Sequence, residues 1–311
     1  MQEKITVIVP AKENPQKLDK CIGALLDLGY PALEIIIVDD GLEKSALNIL
    51  DNFKDKIKIL KSDLGGPSAA RNLAARNTAA EYIAFTDSDC IVAKNWLEEL
   101  SKAFRDYPQA VACGGIQRLP GDATNFEKKV FLFMQKAGFV SDYIRMAKDI
   151  RIREVNHNPS CNVMYKKEAY LKEGGFLEGL WPGEDVEFDY RLRKRGYKIF
   201  LNPEAVVYHY KPRTLRSFLE MMYRYGFVQG LLVKRHGVFR RIHFFPIAAL
   251  ILVLLFFLLM SIDRVFASWF IAGVFFLSWF YFLDFTSFLL FLSGGFIWNT
   301  GFITGLVKNI F

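Results

Sequence analysis

An α/β domain built on a mostly parallel, doubly wound sheet and followed by C-terminal transmembrane helices is the architecture that this 311-residue sequence predicts. Three observations carry that reading. Short β-branched runs alternate with segments of helical periodicity over the first 110 residues. The last 70 residues hold 16 of the 29 phenylalanines, and their only formal charges are Asp263, Arg264, Asp284 and Lys308. The first 241 residues carry 38 Lys and Arg against 31 Asp and Glu, which is the whole formal charge of +7, and they suffice for one sizeable domain. A basic, water-compatible part thus precedes a greasy tail. That excludes a fully soluble protein, an intrinsically disordered one and a small disulfide scaffold.

The elements follow in order. Ile5 to Val9 is β-branched and closed by Pro10, so it reads as a buried strand. Leu18 to Leu28 has helical spacing and stops at Gly29. Glu34 to Val38 is a second strand, Ser45 to Phe53 a helix and Ile57 to Leu60 a third strand. Pro67 to Thr78 is a helix with Pro in its first turn, Tyr82 to Phe85 a fourth strand and Asn95 to Tyr107 a further helix. Four cysteines (Cys21, Cys90, Cys113, Cys161) show no paired or metal-ligand spacing, which fits a reduced compartment. The N-terminus runs almost directly into the first strand, so no cleavable signal is expected and the domain should stay in the cytosol.

Residues 242–262 lack formal charge and have the length that a helix needs to cross the hydrocarbon core. Residues 265–283 supply a second span, and 285–307 a third that is richer in Gly, Ser and Thr. Lys234, Arg235, Arg240 and Arg241 precede the first span, where an excess of cations marks the cytoplasmic side and suits anionic headgroups. Lys308 favours a cytoplasmic C-terminus and so two spans; hydropathy favours three. The expected division is a domain over 1–230, a basic juxtamembrane segment over 231–241 and the membrane region over 242–311.

In doubly wound sheets ligands bind at the carboxyl ends of the strands. Here those ends read Pro10-Ala11-Lys12-Glu13-Asn14, Asp39-Asp40-Gly41, Gly65-Gly66-Pro67 with Arg71-Asn72, and Thr86-Asp87-Ser88-Asp89. An Asp after a strand is an ordinary turn residue, but four such ends in series point to a site. Asp87 and Asp89 project to one face of extended chain and repel each other unless a cation lies between them. Oxygen ligands favour Mg²⁺ or Mn²⁺ shared with a diphosphate. The Gly65-Gly66 turn before a helix suits a phosphate, yet it matches neither the dinucleotide fingerprint nor the P-loop. Further on, Trp181-Pro182-Gly183-Glu184-Asp185 opens an amphipathic helix ending at Gly196. Two carboxylates there complement the helix dipole, but that alone leaves the adjacent Trp181 unexplained.

Taken together, Val7-Ile8-Val9-Pro10, Asp39-Asp40-Gly41, Gly65-Gly66 with Ala70-Arg71-Asn72, Asp87-Ser88-Asp89, Gly174-Gly175-Phe176 and Gly183-Glu184-Asp185 resemble the family 2 inverting glycosyltransferases over residues 4 to 230. The resemblance implies a GT-A (Rossmann-like) catalytic domain that takes a UDP- or GDP-sugar. It implies that Pro10, Ala11 and Glu13 line the nucleoside pocket, and that Asp40 (or Asp39) and Asp87 contact base and ribose. On the same resemblance Gly66, Arg71 and Ser88 would complete the donor site. Asp89 would ligate Mn²⁺ or Mg²⁺, with His209 as a further metal or diphosphate contact. Asp185 matches the family's general base for a hydroxyl acceptor, and Trp181 and Glu184 would contact the acceptor sugar.

Two departures matter. Leu177 replaces the usual acidic residue after Gly-Gly-Phe, and Met222-Tyr-Arg-Tyr-Gly226 stands where processive polymerases carry Gln-x-x-Arg-Trp. Transfer of one or a few sugars is the expectation, to a lipid-linked or membrane-proximal saccharide. A polyprenyl-phosphate acceptor, a short-chain synthase and an inactive nucleotide-sugar-binding scaffold are the rivals. The segment Phe126 to Met146, with Phe131, Phe133, Met134, Phe139, Tyr143 and Met146 among Lys128, Lys129, Lys136 and Arg145, reads as core packing or as a stretch in the membrane interface. No motif supports a nucleic-acid partner.

Overall fold

The computed structural model describes residues 3–12, 15–63, 65–137, 151–282 and 284–308. They form two compact units. The first runs to Ala123 and resumes after the 138–150 stretch as far as Tyr210; the second takes Thr124 onward through one helix and then everything from Lys211.

The first unit is the α/β body. In chain order it comprises β1 (Ile5–Ala11), α1 (Pro15–Leu26), β2 (Leu33–Asp39), α2 (Lys44–Asp51), β3 (Lys58–Lys61), α3 (Pro67–Arg76), β4 (Tyr82–Phe85), β5 (Cys90–Val92), α4 (Trp96–Asp106) and β6 (Ala110–Arg118). The helix α5 (Asn125–Ala137) belongs to the second unit. The body resumes with β7 (Arg153–Glu154), β8 (Val163–Lys166), α6 (Lys167–Lys172), α7 (Glu184–Lys194) and β9 (Lys198–His209). The sheet order is β3-β2-β1-β4-β8-β6-β9-β5, with β7 also on β9. The first four strands in this order are mutually parallel, as the alternation predicts. β8 is antiparallel to both β4 and β6, so the sheet is mixed, though mostly parallel. The second half gave no regular alternation from which this insertion could be read.

Strand pleating explains the two layers. Ile5, Val7, Val9 and Ala11 of β1 face a core shared with Leu18, Ile22 and Leu25 of α1, Leu50 of α2 and Trp96 and Leu100 of α4. Ile8 faces the other core, with Ala70 and Ala74 of α3, Tyr170 of α6 and Phe188 and Leu192 of α7. Phe85, Tyr165, Tyr170, Phe176 and Phe188 form an aromatic cluster there, with ring centroids such as Tyr170–Phe188 at 4.9 Å and Phe85–Phe176 at 5.4 Å. Edge-on packing of this kind adds to the burial of large apolar area. Phe188 is fully buried, one turn beyond Asp185, so this cluster sets where the N-terminus of α7 lies.

The second unit contains α5, α8 (Leu215–His236), a 3-10 turn over Arg241–Phe244, α9 (Phe245–Ile262), α10 (Arg264–Phe282) and α11 (Phe285–Val307). Thr214 starts α8 with a reciprocal capping box: its hydroxyl accepts from Ser217 N at 3.2 Å. The residue-230 edge expected from sequence falls inside α8. Helices at Arg241–Ile262, Arg264–Tyr281 and Phe285–Val307 are long and apolar enough to cross a membrane. Of the 126–146 segment, Phe133 and Met134 are buried, with Phe133 edge-on to Phe218 at 5.6 Å, which is packing within the unit. Phe139, Tyr143, Arg145 and Met146 lie outside the described residues.

Candidate active site

Parallel strands β1, β2 and β4 deliver their C-terminal residues to one edge. The two aspartates after β2 divide the work. Asp39 Oδ1 accepts from Gly41 N at 3.0 Å and Leu42 N at 2.7 Å, closing the turn on itself. Asp40 Oδ2 accepts from Gly66 N at 2.6 Å, while its Oδ1 is buried without a hydrogen-bond partner. Buried polar atoms are normally paired, so an orphan acceptor at a strand end suits a ligand's N–H or O–H. Gly66 has φ 109°, which a side chain would strain, and its N–H is thereby turned back onto Asp40. Pro10 and Ala11 stand at the end of β1, half-buried and buried respectively, and Asp40 N donates to Ala11 O at 2.9 Å. Glu13 lies outside the described residues.

Arg71 is the central node. The small residues Ala70, Ala74 and Ala75 bring α3 close to the sheet, and Arg71 on that helix is 1% exposed. Its Nη2 donates to Asp87 Oδ1 and its Nη1 to Glu184 Oε1 at 2.9 Å. Burial disfavours the guanidinium charge, but Asp87 and Glu184 outweigh that effect and keep it protonated. Glu184 also accepts from Ser160 Oγ at 3.0 Å. Burial first, and then the neighbouring Asp185, push the Glu184 carboxyl up to about 7 against the pull of Arg71. At 1% exposure, Glu184 faces inward to the Arg71 node rather than outward beside Trp181, which is 51% exposed.

The pairing of β5 with β9 sets Cys90 opposite His209, which brings the histidine beside the Asp87-Ser88-Asp89 turn. His209 Nε2 lies 3.5 Å from Asp89 Oδ1, and Lys17 Nζ of α1 lies 3.5 Å from Asp89 Oδ2. Carboxylate oxygens of Asp87 and Asp89, the Cys90 sulfur and a His209 ring nitrogen all lie within 4.8 Å of one another. Two carboxylates and an imidazole are a donor set that suits Mn²⁺ or Mg²⁺, so the residues present fit such an ion. Behind His209, its Nδ1 sits 3.3 Å from Gln117 Oε1 and 3.7 Å from Cys161 Sγ.

Asp185 opens α7 with Oδ2 accepting from Ser160 N at 2.9 Å, its side chain 14% exposed. His157 lies behind it. His157 Nε2 is 4.0 Å from Asp185 Oδ2, and Nδ1 is 3.1 Å from Asp189 Oδ2. Asp189 is fully buried; it also accepts from Asn158 N at 2.8 Å and Tyr165 Oη at 2.9 Å. Burial raises the Asp189 carboxyl, and His157 is the largest influence opposing this. A buried carboxylate thus orients a histidine that points at a partly exposed one.

Among the predicted residues, the fold joins Asp87, Arg71, Glu184 and Asp185 in one network, and groups Asp89 with His209 and Asp87. Lys17, His157, Ser160 and Asp189 escaped the sequence reading. The run His157-Asn158-Pro159-Ser160 ahead of β8 places three polar residues in buried positions, which only the fold reveals.

The Glycosyl transferase family 2 model matches residues 6–173. A pre-mycofactocin glycosyltransferase from Mycobacterium tuberculosis is 29% identical over 237 residues, covering 75% of this chain and 48% of the relative. The chain therefore spans about half the length of that relative. A dolichyl N-acetyl-α-D-glucosaminyl phosphate 3-β-D-2,3-diacetamido-2,3-dideoxy-β-D-glucuronosyltransferase from Methanococcus voltae is 22% identical over 263 residues, 80% of each chain. Among solved structures, the mannosyltransferase PcManGT from Pyrobaculum calidifontis, in complex with GDP-Man and Mn²⁺, aligns with TM-score 0.73 at 16% identity. That alignment covers 99% of this chain and 88% of the neighbour. At this identity the likeness shows the fold.

Proposed function

The chain belongs to glycosyl transferase family 2, and on that premise we propose that it transfers a sugar from a nucleoside-diphosphate donor to a hydroxyl of a lipid-linked saccharide at the cytoplasmic face of a membrane, with inversion at the anomeric carbon. The observation that carries this reading is the buried Arg71, which bonds Asp87 on the donor side and Glu184 on the helix that presents Asp185. Donor and base groups so tied form one site and not two unrelated turns.

The base and ribose of the donor meet Pro10, Ala11, Asp40 and Asp87, where the orphan oxygen of Asp40 accepts a hydrogen bond from the nucleoside. Gly66 and Ser88 border the diphosphate. Asp89 and His209, with Asp87, would hold Mn²⁺ or Mg²⁺, which when bound supplies positive charge against the leaving diphosphate. The complex of PcManGT with GDP-Man and Mn²⁺ supports both the donor class and a divalent metal. Asp185 Oδ2 receives the proton of the attacking hydroxyl, a role typically worth about 10²–10⁴ in rate. Ser160 N holds that carboxylate in place. Trp181 offers an exposed ring on which an acceptor sugar stacks.

The apolar helices support a lipid-linked acceptor, and so does the dolichyl-linked glucosaminyl phosphate in the name of the Methanococcus voltae relative. Lys234, Arg235, Arg240 and Arg241 before the first apolar helix support the cytoplasmic face.

The test uses the detergent-purified chain with a panel of UDP- and GDP-sugars, with and without Mn²⁺. Asp185→Asn is expected to bind the donor normally and to lose transfer to a sugar hydroxyl by at least about 100-fold. Unchanged transfer removes the base, and a product linked through phosphate makes a polyprenyl phosphate the acceptor.

A further inference from the structure

Three helices qualify as membrane spans by length and composition, yet the packing of the second unit separates them. α9 buries none of its residues, whereas α11 buries one whole face, including Gly294, Trp298, Gly301, Phe302 and Gly305. That face lies on α8. A Cβ built on Gly226 or Gly230 of α8 would overlap the carbonyl oxygens of Trp298 and Phe302, and one on Gly301 or Gly305 of α11 would overlap those of Tyr223 and Phe227. Reciprocal small-x-x-x-small pairs of this kind let two helix backbones touch. The contacts advance in the same direction along both helices, from Phe218 with Gly294 to Gly230 with Leu306, so the helices run parallel. At their C-terminal ends Lys234 Nζ donates to Lys308 O at 3.3 Å.

This pairing conflicts with a spanning α11. Consecutive spans alternate in direction. If α9, α10 and α11 all crossed, α11 would run the same way as α9, and α8 beside it would end on the face opposite to where α9 begins. Eight residues separate His236 from Phe245, about 28 Å at full extension, and residues 241–244 of these are wound into a 3-10 turn. The hydrocarbon core is about 30 Å thick. Moreover, Phe245, at the start of α9, packs on Phe291 and Trp298 with centroids 6.4 and 5.7 Å apart, against the middle of α11. In a spanning α11 that middle lies at the bilayer centre, and Arg240 and Arg241 would be drawn in with Phe245.

α8 adds a charge argument. Arg216, Glu220 and Arg224 are exposed along it, and Arg216 Nε donates to Glu220 Oε1 at 3.0 Å. Arg224 stands at its midpoint. A charge at the bilayer centre is costly even on the most lenient insertion scale. Exposed Phe285, Leu289, Phe296, Ile303 and Val307 recur at helical spacing along a single stripe of α11, on the face away from α8.

We propose that α8 and α11 lie side by side in the plane of the membrane interface. The α11 stripe rests on acyl chains, the α8 cations meet anionic headgroups, and α9 and α10 form the one transmembrane hairpin. The partner of this surface is a lipid bilayer, and the assignment stands apart from the reaction proposed above.

Nitroxide labels on Leu289→Cys and Phe296→Cys test it in the full chain, reconstituted into phosphatidylcholine–phosphatidylglycerol bilayers. Phe296 stands at the middle of α11, roughly 10 Å along the helix from Leu289. Collisional accessibility to oxygen and to a nickel chelate is expected to give both the same shallow depth. A Phe296 label at the bilayer centre, deeper than the Leu289 label by about that distance, overturns the proposal. Impermeant thiol labelling of sealed vesicles supplies the second reading, since the native cysteines are all buried. Arg216→Cys and Lys308→Cys are expected to label from one side and Arg264→Cys from the other. Lys308→Cys labelling with Arg264→Cys refutes the two-span arrangement.

Discussion

Arg71 Nη1 donates to Glu184 Oε1 across 2.9 Å, between two side chains that are 1% and 2% exposed and 113 residues apart in sequence. The same guanidinium bonds Asp87. One buried cation thus fixes the N-terminus of α7, and with it Asp185, relative to the end of β4.

Removing that cation should be expensive. Breaking a buried pair by deleting one partner typically costs about 3–5 kcal/mol, because the other charge stays buried and uncompensated. Arg71→Met is expected to lower the thermal unfolding temperature sharply, and adding Glu184→Met should restore much of the loss. If the single variant unfolds where the wild type does, Arg71 does not hold the site together.

The Glu184 carboxyl gives a pH signature. Burial raises it from 4.5 to about 7, so between those values the folded chain keeps a proton that the unfolded chain has released. Stability from this group is fully present below pH 4.5 and is lost as pH rises through about 7. Relative to the wild type, Glu184→Gln should gain stability as pH rises across that window. Unfolding temperatures measured from pH 4.5 to 8 check this, and a difference between the two proteins that stays flat with pH rejects it.

In the proposed reaction His157 would act through Asp185, from which its Nε2 lies 4.0 Å, and would not itself reach the reacting atoms. His157→Gln keeps a hydrogen-bonding side chain beside Asp189 but withdraws the imidazole from Asp185. A fall in kcat of about tenfold, roughly 1.4 kcal/mol of barrier, is expected from losing the imidazole 4.0 Å from Asp185 Oδ2, with the donor KM unchanged. Wild-type kcat in the variant would leave His157 a packing residue.

Much of the candidate site's local chemistry was legible because its parts are short motifs. Asp87-Ser88-Asp89 sits in the turn between β4 and β5, while Gly65-Gly66 and Gly183-Glu184-Asp185 sit where a turn opens into a helix, and turn chemistry is written in neighbouring residues. The partition of labour inside each motif was not legible. Asp39 and Asp40 are adjacent and chemically alike; one closes its own turn while the other keeps a buried oxygen free, and only the approach of Gly66 decides which. Glu184 and Asp185 divide in the same way, according to which carboxylate meets Arg71.

By itself the sequence determined the alternation of strands and helices, the parallel core of the sheet, the acidic strand ends and the apolar helices of the tail, because periodicity and turn preference are short-range properties. Tertiary structure decided that β8 inserts antiparallel between β4 and β6, that His209 faces Asp89, that His157 and Asp189 stand behind Asp185, and that α11 spends its small residues on α8. Each of these joins residues tens to more than a hundred positions apart. Such contacts depend on how whole faces pack, and no local pattern of side chains encodes that.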